Sequence, residues 1–336
     1  GTLDISYDGR GQIKTMQYSD GVNLTYDYDE MGGLTGSNDV AITRDKLGRV
    51  VNSNGIVNSY DPEGGLGKTT LNGGDIDYGY DIRGQLTSVD DWLGGQTGFN
   101  YDDAGRLLSI NHSNGLSTIY AYNKANSITS IEVRDGATVI SRSDFTRDSL
   151  GQITSASRAY PADTPNLNLA PGTNTFAFDA AMQTQGFDYD DMGRRTSDNL
   201  HQYNWSLASR LDQYTADEGS TTVDLAYNGM GHVISRNDGG GLQTFTWNYA
   251  TTHPCIAEMT GGDIRYNVCA PDGRLLYSIN TTNDRRIYHY DEMGNVQFVT
   301  NNAGEVLAAY RYSPFGHMLV DSSNGGLDNP FTYQGQ

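Results

Sequence analysis

The chain has 336 residues, with 41 acidic against 22 basic side chains and a formal charge of −19, which argues against nucleic acid or an anionic membrane as its partner. Glycine stands at 41 and tyrosine at 23 with only 8 prolines, the composition of a turn-rich β protein. Aromatics reach 10%, more to bury than a disordered acidic segment has, and no apolar run approaches the ~18 residues of a membrane-spanning helix, so membrane insertion is not expected.

In chain order the first clear feature is a repeat: an aromatic, Asp, two variable residues, Gly, one variable residue and an aliphatic. Copies are Tyr7-Asp8 with Gly11 and Ile13, Tyr28-Asp29 with Gly32 and Leu34, and Tyr60-Asp61 with Gly64 and Leu66. Further copies are Tyr80-Asp81 with Gly84 and Leu86, Tyr101-Asp102 with Gly105 and Leu107, and Tyr290-Asp291 with Gly294 and Val296. Arg44-Asp45, Arg147-Asp148, Tyr189-Asp190 and Tyr227-Asn228 keep the shape, and Tyr122-Asn123 is a decayed copy without the glycine.

Between copies the sequence alternates apolar and polar residues, as in Gly21-Val22-Asn23-Leu24-Thr25-Tyr26, which suits strands with one buried face. The aromatic ends one strand, Asp accepts hydrogen bonds from amides two residues on, Gly supplies a positive φ, and the aliphatic starts the return strand. Each unit is then one hairpin, and hairpins must pair side by side because one alone is marginal in water. About 16 hairpins at ~4.8 Å between strands make an antiparallel sheet roughly 150 Å long, which strand twist curls; closed as a ring it is about 50 Å across. The expected fold is all-β: a long sheet of hairpins curling into a hollow, barrel-like shell, here roughly one turn of wall with two edges to be covered.

Two stretches interrupt the pattern. Residues 155–185, with Pro161, Pro165 and Pro171, read as an irregular insertion, and residues 250–275, with Pro254, Cys255, Cys269 and Pro271, as an irregular patch. One local disulfide between the two cysteines is open; a disulfide framework is not. The N-terminal Gly1-Thr2-Leu3-Asp4 reads as the start of an excised piece.

Catalytic signatures fail. Gly67-Lys68-Thr69 echoes a phosphate loop, but Pro62 stands where its first glycine belongs. Asp27-Tyr28-Asp29-Glu30-Met31-Gly32 begins like a calcium loop, yet Met31 takes a ligand position. His112, His201, His232, His253, His289 and His317 are scattered singly, and His253 beside Cys255 lacks further metal ligands. The recurring Asp residues have a single structural cause, turn capping, and stacking along the sheet is the expected role of the tyrosines. No cofactor, metal or catalytic residue is expected.

The Tyr-Asp units resemble the repeats of the RHS (rearrangement hotspot) and YD-repeat proteins, which include bacterial polymorphic toxins, the Tc toxin B and C components and the teneurin ectodomain. Tyr288-His289-Tyr290-Asp291-Glu292-Met293-Gly294-Asn295, then Tyr310-Arg311-Tyr312-Ser313-Pro314-Phe315-Gly316, and last Asn329-Pro330-Phe331-Thr332-Tyr333-Gln334-Gly335-Gln336 resemble the RHS-associated core in order and spacing. The resemblance divides the chain into repeats at 1–285 and the start of that core at 286–336. It implies a hollow β-shell whose core segment precedes a variable C-terminal region, in toxins a poison held inside. The self-cleaving aspartyl protease of toxin members lies beyond Gln336, so no catalytic Asp is carried over.

The function expected from the repeat and the resemblance is non-enzymatic: a secreted or cell-surface bacterial shell segment that encloses or presents a C-terminal cargo. Its partners are then the rest of its own polypeptide. An extracellular adhesion or filament module, pairing copies of itself through sheet edges and binding a cell-surface glycan or protein, is the alternative.

Overall fold

The computed structural model describes residues 1–162, 164, 177–198, 201–216, 221–251, 253–259, 262–312, 318–322, 327, 329 and 331. Among these there is no helix, and the strands form two antiparallel sheets in strict chain order. The first has 16 strands, from Leu3–Tyr7 to Ile153–Ala159, and the second 14, from Asp188–Tyr189 to Met318–Asp321. The all-β reading holds, with two sheets instead of one ribbon.

Among the described residues the Tyr-Asp copies close through the same hydrogen-bonded turn. The amide of Asp8 donates to the carbonyl of Gln12 and that of Gly11 to Asp8, while Asp8 Oδ1 accepts the amides of Arg10 and Gln12. The fourth residue has positive φ: 81° at Gly11, 76° at Gly84 and 81° at Gly105. In the decayed copy Asn126 holds that position at 61°, since a short polar side chain tolerates this region better than most.

The turn fixes the register. Tyr7 faces Ile13, Tyr80 faces Leu86, Tyr101 faces Leu107 and Tyr290 faces Val296, and in each case the register shifts at the next pair. This bulge follows from returning the chain through an odd residue at positive φ. Some of the hairpins' opposite ends reuse the turn, with Asp91, His112, Asn280 and Asn301 in the place of the repeat's Asp, whereas others are shorter, with Ser37 facing Val40 and Ser53 facing Ile56.

The described parts of both irregular stretches are more regular than their composition suggests. Strand Ile153–Ala159 pairs along its length with Thr138–Arg147, and Asp179 builds a repeat-type turn with Met182, φ 61°, in the glycine position. Pro165 and Pro171 lie outside the described residues. Around 250–275 the strands His253–Met259 and Ile264–Cys269 are formed; Pro254 sits opposite Trp247 beside a bulge, where a missing N–H is tolerated.

The chain divides into two compact units. The first comprises Gly1–Asn58 and Leu169–Ile264, where Val40, Ile42 and Val50 pack against Tyr249 and Ala250. Asn58 and Asn248 exchange side-chain amide bonds of 3.1 and 2.9 Å, and Ser53 Oγ donates to the Trp247 carbonyl. The second comprises Ser59–Asn168 and Arg265–Gln336. One of its clusters joins Leu116 and Val133 of the first sheet to Phe298 and Ala309 of the second. Another, with Val299, Ala308, Tyr288 and Tyr310, is covered by Leu327 and Phe331.

Candidate functional site

The repeat residues converge on one recurring arrangement. Because of the bulge, the return strand of each hairpin pairs with the following strand only from the second residue past the aliphatic: Thr15 with Thr25, Ser109 with Ile119, Tyr277 with Ile287. At six positions the next repeat's tyrosine hydroxyl donates to the carbonyl of that aliphatic residue. Tyr28 reaches Ile13 at 2.9 Å, Tyr80 reaches Leu66 at 2.9 Å and Tyr122 reaches Leu107 at 2.9 Å. Tyr227 reaches Leu211 at 2.9 Å, Tyr290 reaches Leu275 at 2.7 Å and Tyr312 reaches Val296 at 3.1 Å.

At three positions where the aromatic or the residue in its place changes, a donor remains, although Arg44 Nε is buried without a partner. Trp205 and Trp247 give their indole N–H to the carbonyls of Arg195 and Val233, and Arg147 Nε reaches that of Ile128 at 3.1 Å. The shared property at these positions is therefore an N–H or O–H towards the end of a long side chain that serves a carbonyl of the preceding repeat. Ring stacking along the sheet, the role expected of these tyrosines, is not what binds one repeat to the next. Arg106 and Arg210 instead lie over the rings of Tyr122 and Tyr227 at 4.9 and 5.8 Å.

Burial pushes the Tyr80 hydroxyl up to about 12, helped by the negative charge of Asp61, and raises Tyr290 well above its ordinary value. The amide of Gln12 holds the Asp8 carboxyl below its ordinary value, and the amide of Arg106 does the same for Asp102. These groups are neutral tyrosines and ionised aspartates at neutral pH, already bonded to backbone. Among the residues of the core-like stretches Tyr312 is described, stacked on Tyr310; Pro314, Phe315, Gly316, Gly335 and Gln336 lie outside the described residues.

Both cysteines, and His253 beside Cys255, are buried in packing roles. Cys255 and Cys269 are free thiols, so the disulfide left open by the sequence is not formed. Cys255 Sγ lies 3.2 Å from His253 Nε2, but burial pushes the thiol up to about 12 and the imidazole down to about 4, the reverse of an activated nucleophile. In the second unit Arg285 Nη2 meets Asp91 Oδ2 at 2.8 Å, and Tyr277 donates to the same oxygen at 2.8 Å. No group of three or more metal-ligating side chains occurs among the described residues. The sequence did not single out Asp91; the signal was an Asp followed at the third position by Gly94 without a preceding aromatic.

No protein-family model matches the chain. It is similar to the tRNA3(Ser)-specific nuclease WapA of Bacillus spizizenii, 25% identical over 153 residues. It is also similar to the tRNA nuclease WapA of Bacillus subtilis, 23% identical over 153 residues. Each match takes in 45% of this chain and 7% of the relative, so the chain spans a small fraction of those proteins' length. Among solved structures it is similar to TcdB2-TccC3, with a TM-score of 0.67 at 14% identity over 99% of this chain and 23% of that one. The structure of TcdB2-TccC3 without its hypervariable C-terminal region gives 0.62 at 14% identity, over 96% and 24%. The hairpin sheets give the chain the fold of TcdB2-TccC3, and its Tyr-Asp turns resemble those of RHS/YD-repeat proteins.

Proposed function

We propose that this chain is a structural, non-enzymatic segment of a secreted YD-repeat β-shell that encloses or presents a C-terminal cargo, a toxin in the first instance. The observation that carries this reading is the consumption of the repeat's polar chemistry by scaffolding. The aspartates cap turns, the tyrosines serve bulge carbonyls, and the buried Cys and His groups sit in states unsuited to catalysis. A wall of this kind acts by confinement, excluding proteases and partners from what it surrounds. Its curated relatives, named as tRNA nucleases, favour a toxic cargo.

A second reading rests on the open edges of the first sheet. Strands Leu3–Tyr7 and Ile153–Ala159 are exposed along their whole length, and such edges template further pairing. Electron microscopy of the chain, alone and within its full polypeptide, separates the two. Closed particles containing the remaining polypeptide support the shell, whereas ordered polymers of this chain alone support the filament and overturn the shell.

A further inference from the structure

In the second unit His112, at a turn of the first sheet, meets His289, in strand Arg285–Tyr290 of the second, with ring centroids 4.8 Å apart and edge to face. Both are buried, at 8% and 1% exposure. His112 Nε2 is 2.8 Å from Thr118 Oγ1 and His289 Nε2 is 3.0 Å from Thr300 Oγ1. Asn114 Nδ2 reaches across to Thr300 Oγ1 at 3.0 Å, and Phe298 stacks on the His289 ring at 4.4 Å. The Nδ1 atom of each ring is buried without a hydrogen-bond partner.

We propose that His112 and His289 form an acid-released latch between the two sheet layers of the second unit, and that protonation of either ring opens this seam. The surroundings are built for neutral rings. A proton on Nδ1 would be a charged donor with no acceptor, and two imidazolium rings at this separation would repel each other in an apolar setting.

The charged side chains on neighbouring elements are committed elsewhere. Arg285 on the same strand pairs with Asp91, Glu132 is held by Arg134 and Arg142, and Glu292 is held by Arg158. Arg286 acts on Tyr288, and Glu305 accepts from Asn301. His112 is the one titratable neighbour whose protonation acts on His289.

Burial takes His112 from 6.5 down to about 4 and lowers His289 well below 6.5, the latter also through His112. The unfolded or opened state therefore binds protons more readily than the closed one. The latch is at full strength above about pH 6.5 and weakens as the pH falls towards 4, by roughly tenfold in opening constant per pH unit for each histidine.

The test is hydrogen exchange on the full 336-residue chain, corrected for intrinsic rate, between pH 7.5 and 4.5. Amides of Leu116–Tyr122 and Val296–Thr300 read the seam, and those of Val40–Arg44 read the other unit, which holds the separate buried His253. We expect seam protection to fall by ten- to a hundredfold per pH unit below pH 6.5. His112→Asn, which places at this turn the residue native at Asn123 and Asn301, should remove about half of that slope, and adding His289→Gln should remove the rest.

Ring-carbon NMR of the two histidines in the unmodified chain decides the matter if the variants fail to fold, because protonation and loss of seam protection must then coincide. Seam protection independent of pH, rings that titrate near 6.5 in a seam that stays closed, or folded variants with the original slope would each overturn the latch.

Discussion

Strands Leu3–Tyr7 and Val296–Thr300 come from the same repeat and sit in opposite environments. In the first, Leu3, Ile5 and Tyr7 are 41%, 40% and 59% exposed, and all five residues face solvent. In the second all five are buried, including Gln297 and Thr300, because one face packs on Leu116 and Val133 and the other joins Ala308 and Tyr310. The repeat thus supplies turn, bulge and register everywhere, while burial is set by what lies across from a strand. Local hydrogen bonding makes the sheet, and facing layers make it stable.

This contrast is open to test by mutation, followed by urea unfolding. Phe298→Ala, at a fully buried side chain touching both layers, should cost about 3–5 kcal/mol, whereas Ile5→Ala on the exposed strand should cost less than ~1 kcal/mol. Equal losses would show that burial does not distinguish the two strands. The turns should behave alike wherever they lie. Gly105→Val, at φ 81°, should cost about 2–3 kcal/mol, while Gly105→Asn should stay under ~1 kcal/mol, as Asn126 already fills that position.

Removing a ladder hydroxyl should cost more where the ring is deeper. Tyr290→Phe is expected to lose about 1–3 kcal/mol and Tyr28→Phe about 0.5–1.5 kcal/mol, for bonds of 2.7 and 2.9 Å. The smallest effect belongs to Asp102→Asn, which keeps an oxygen for the Arg106 and Ala104 amides. That carboxyl lies below its ordinary 3.8 in the folded chain, so its contribution is present above that pH and is lost as pH falls through the lower folded value. Thermal melting of the variant between pH 5 and 2 should accordingly be less acid-sensitive than that of the parent.

Much of this was legible because the turn is local. Tyr101-Asp102 with Gly105 and Leu107 names its own positive-φ residue, its amide acceptor and its facing pair, and the glycine-free copy at Tyr122-Asn123 was recognisable as the same turn. Turns lacking an aromatic, at Asp91, His112 and Asn301, carried only a spaced glycine and passed unnoticed. The tyrosine ladder was hidden for another reason. Its bond runs from one repeat to the carbonyl of the preceding one, a partner of no residue type, and shows only once the bulge is known to leave that carbonyl unpaired. Strands such as Val296–Thr300 read as one-faced because nothing local announces a second covering layer.

The central claim is that the tyrosines weld hairpin to hairpin by donating a hydrogen bond and not through their rings. The most direct measurement is the unfolding free energy of a chain in which Tyr28, Tyr80 and Tyr122 are all phenylalanine, a change that keeps three rings and deletes three donors. The account predicts a loss of about 3 kcal/mol, near 1 kcal/mol for each bond removed. An unchanged unfolding free energy would contradict it.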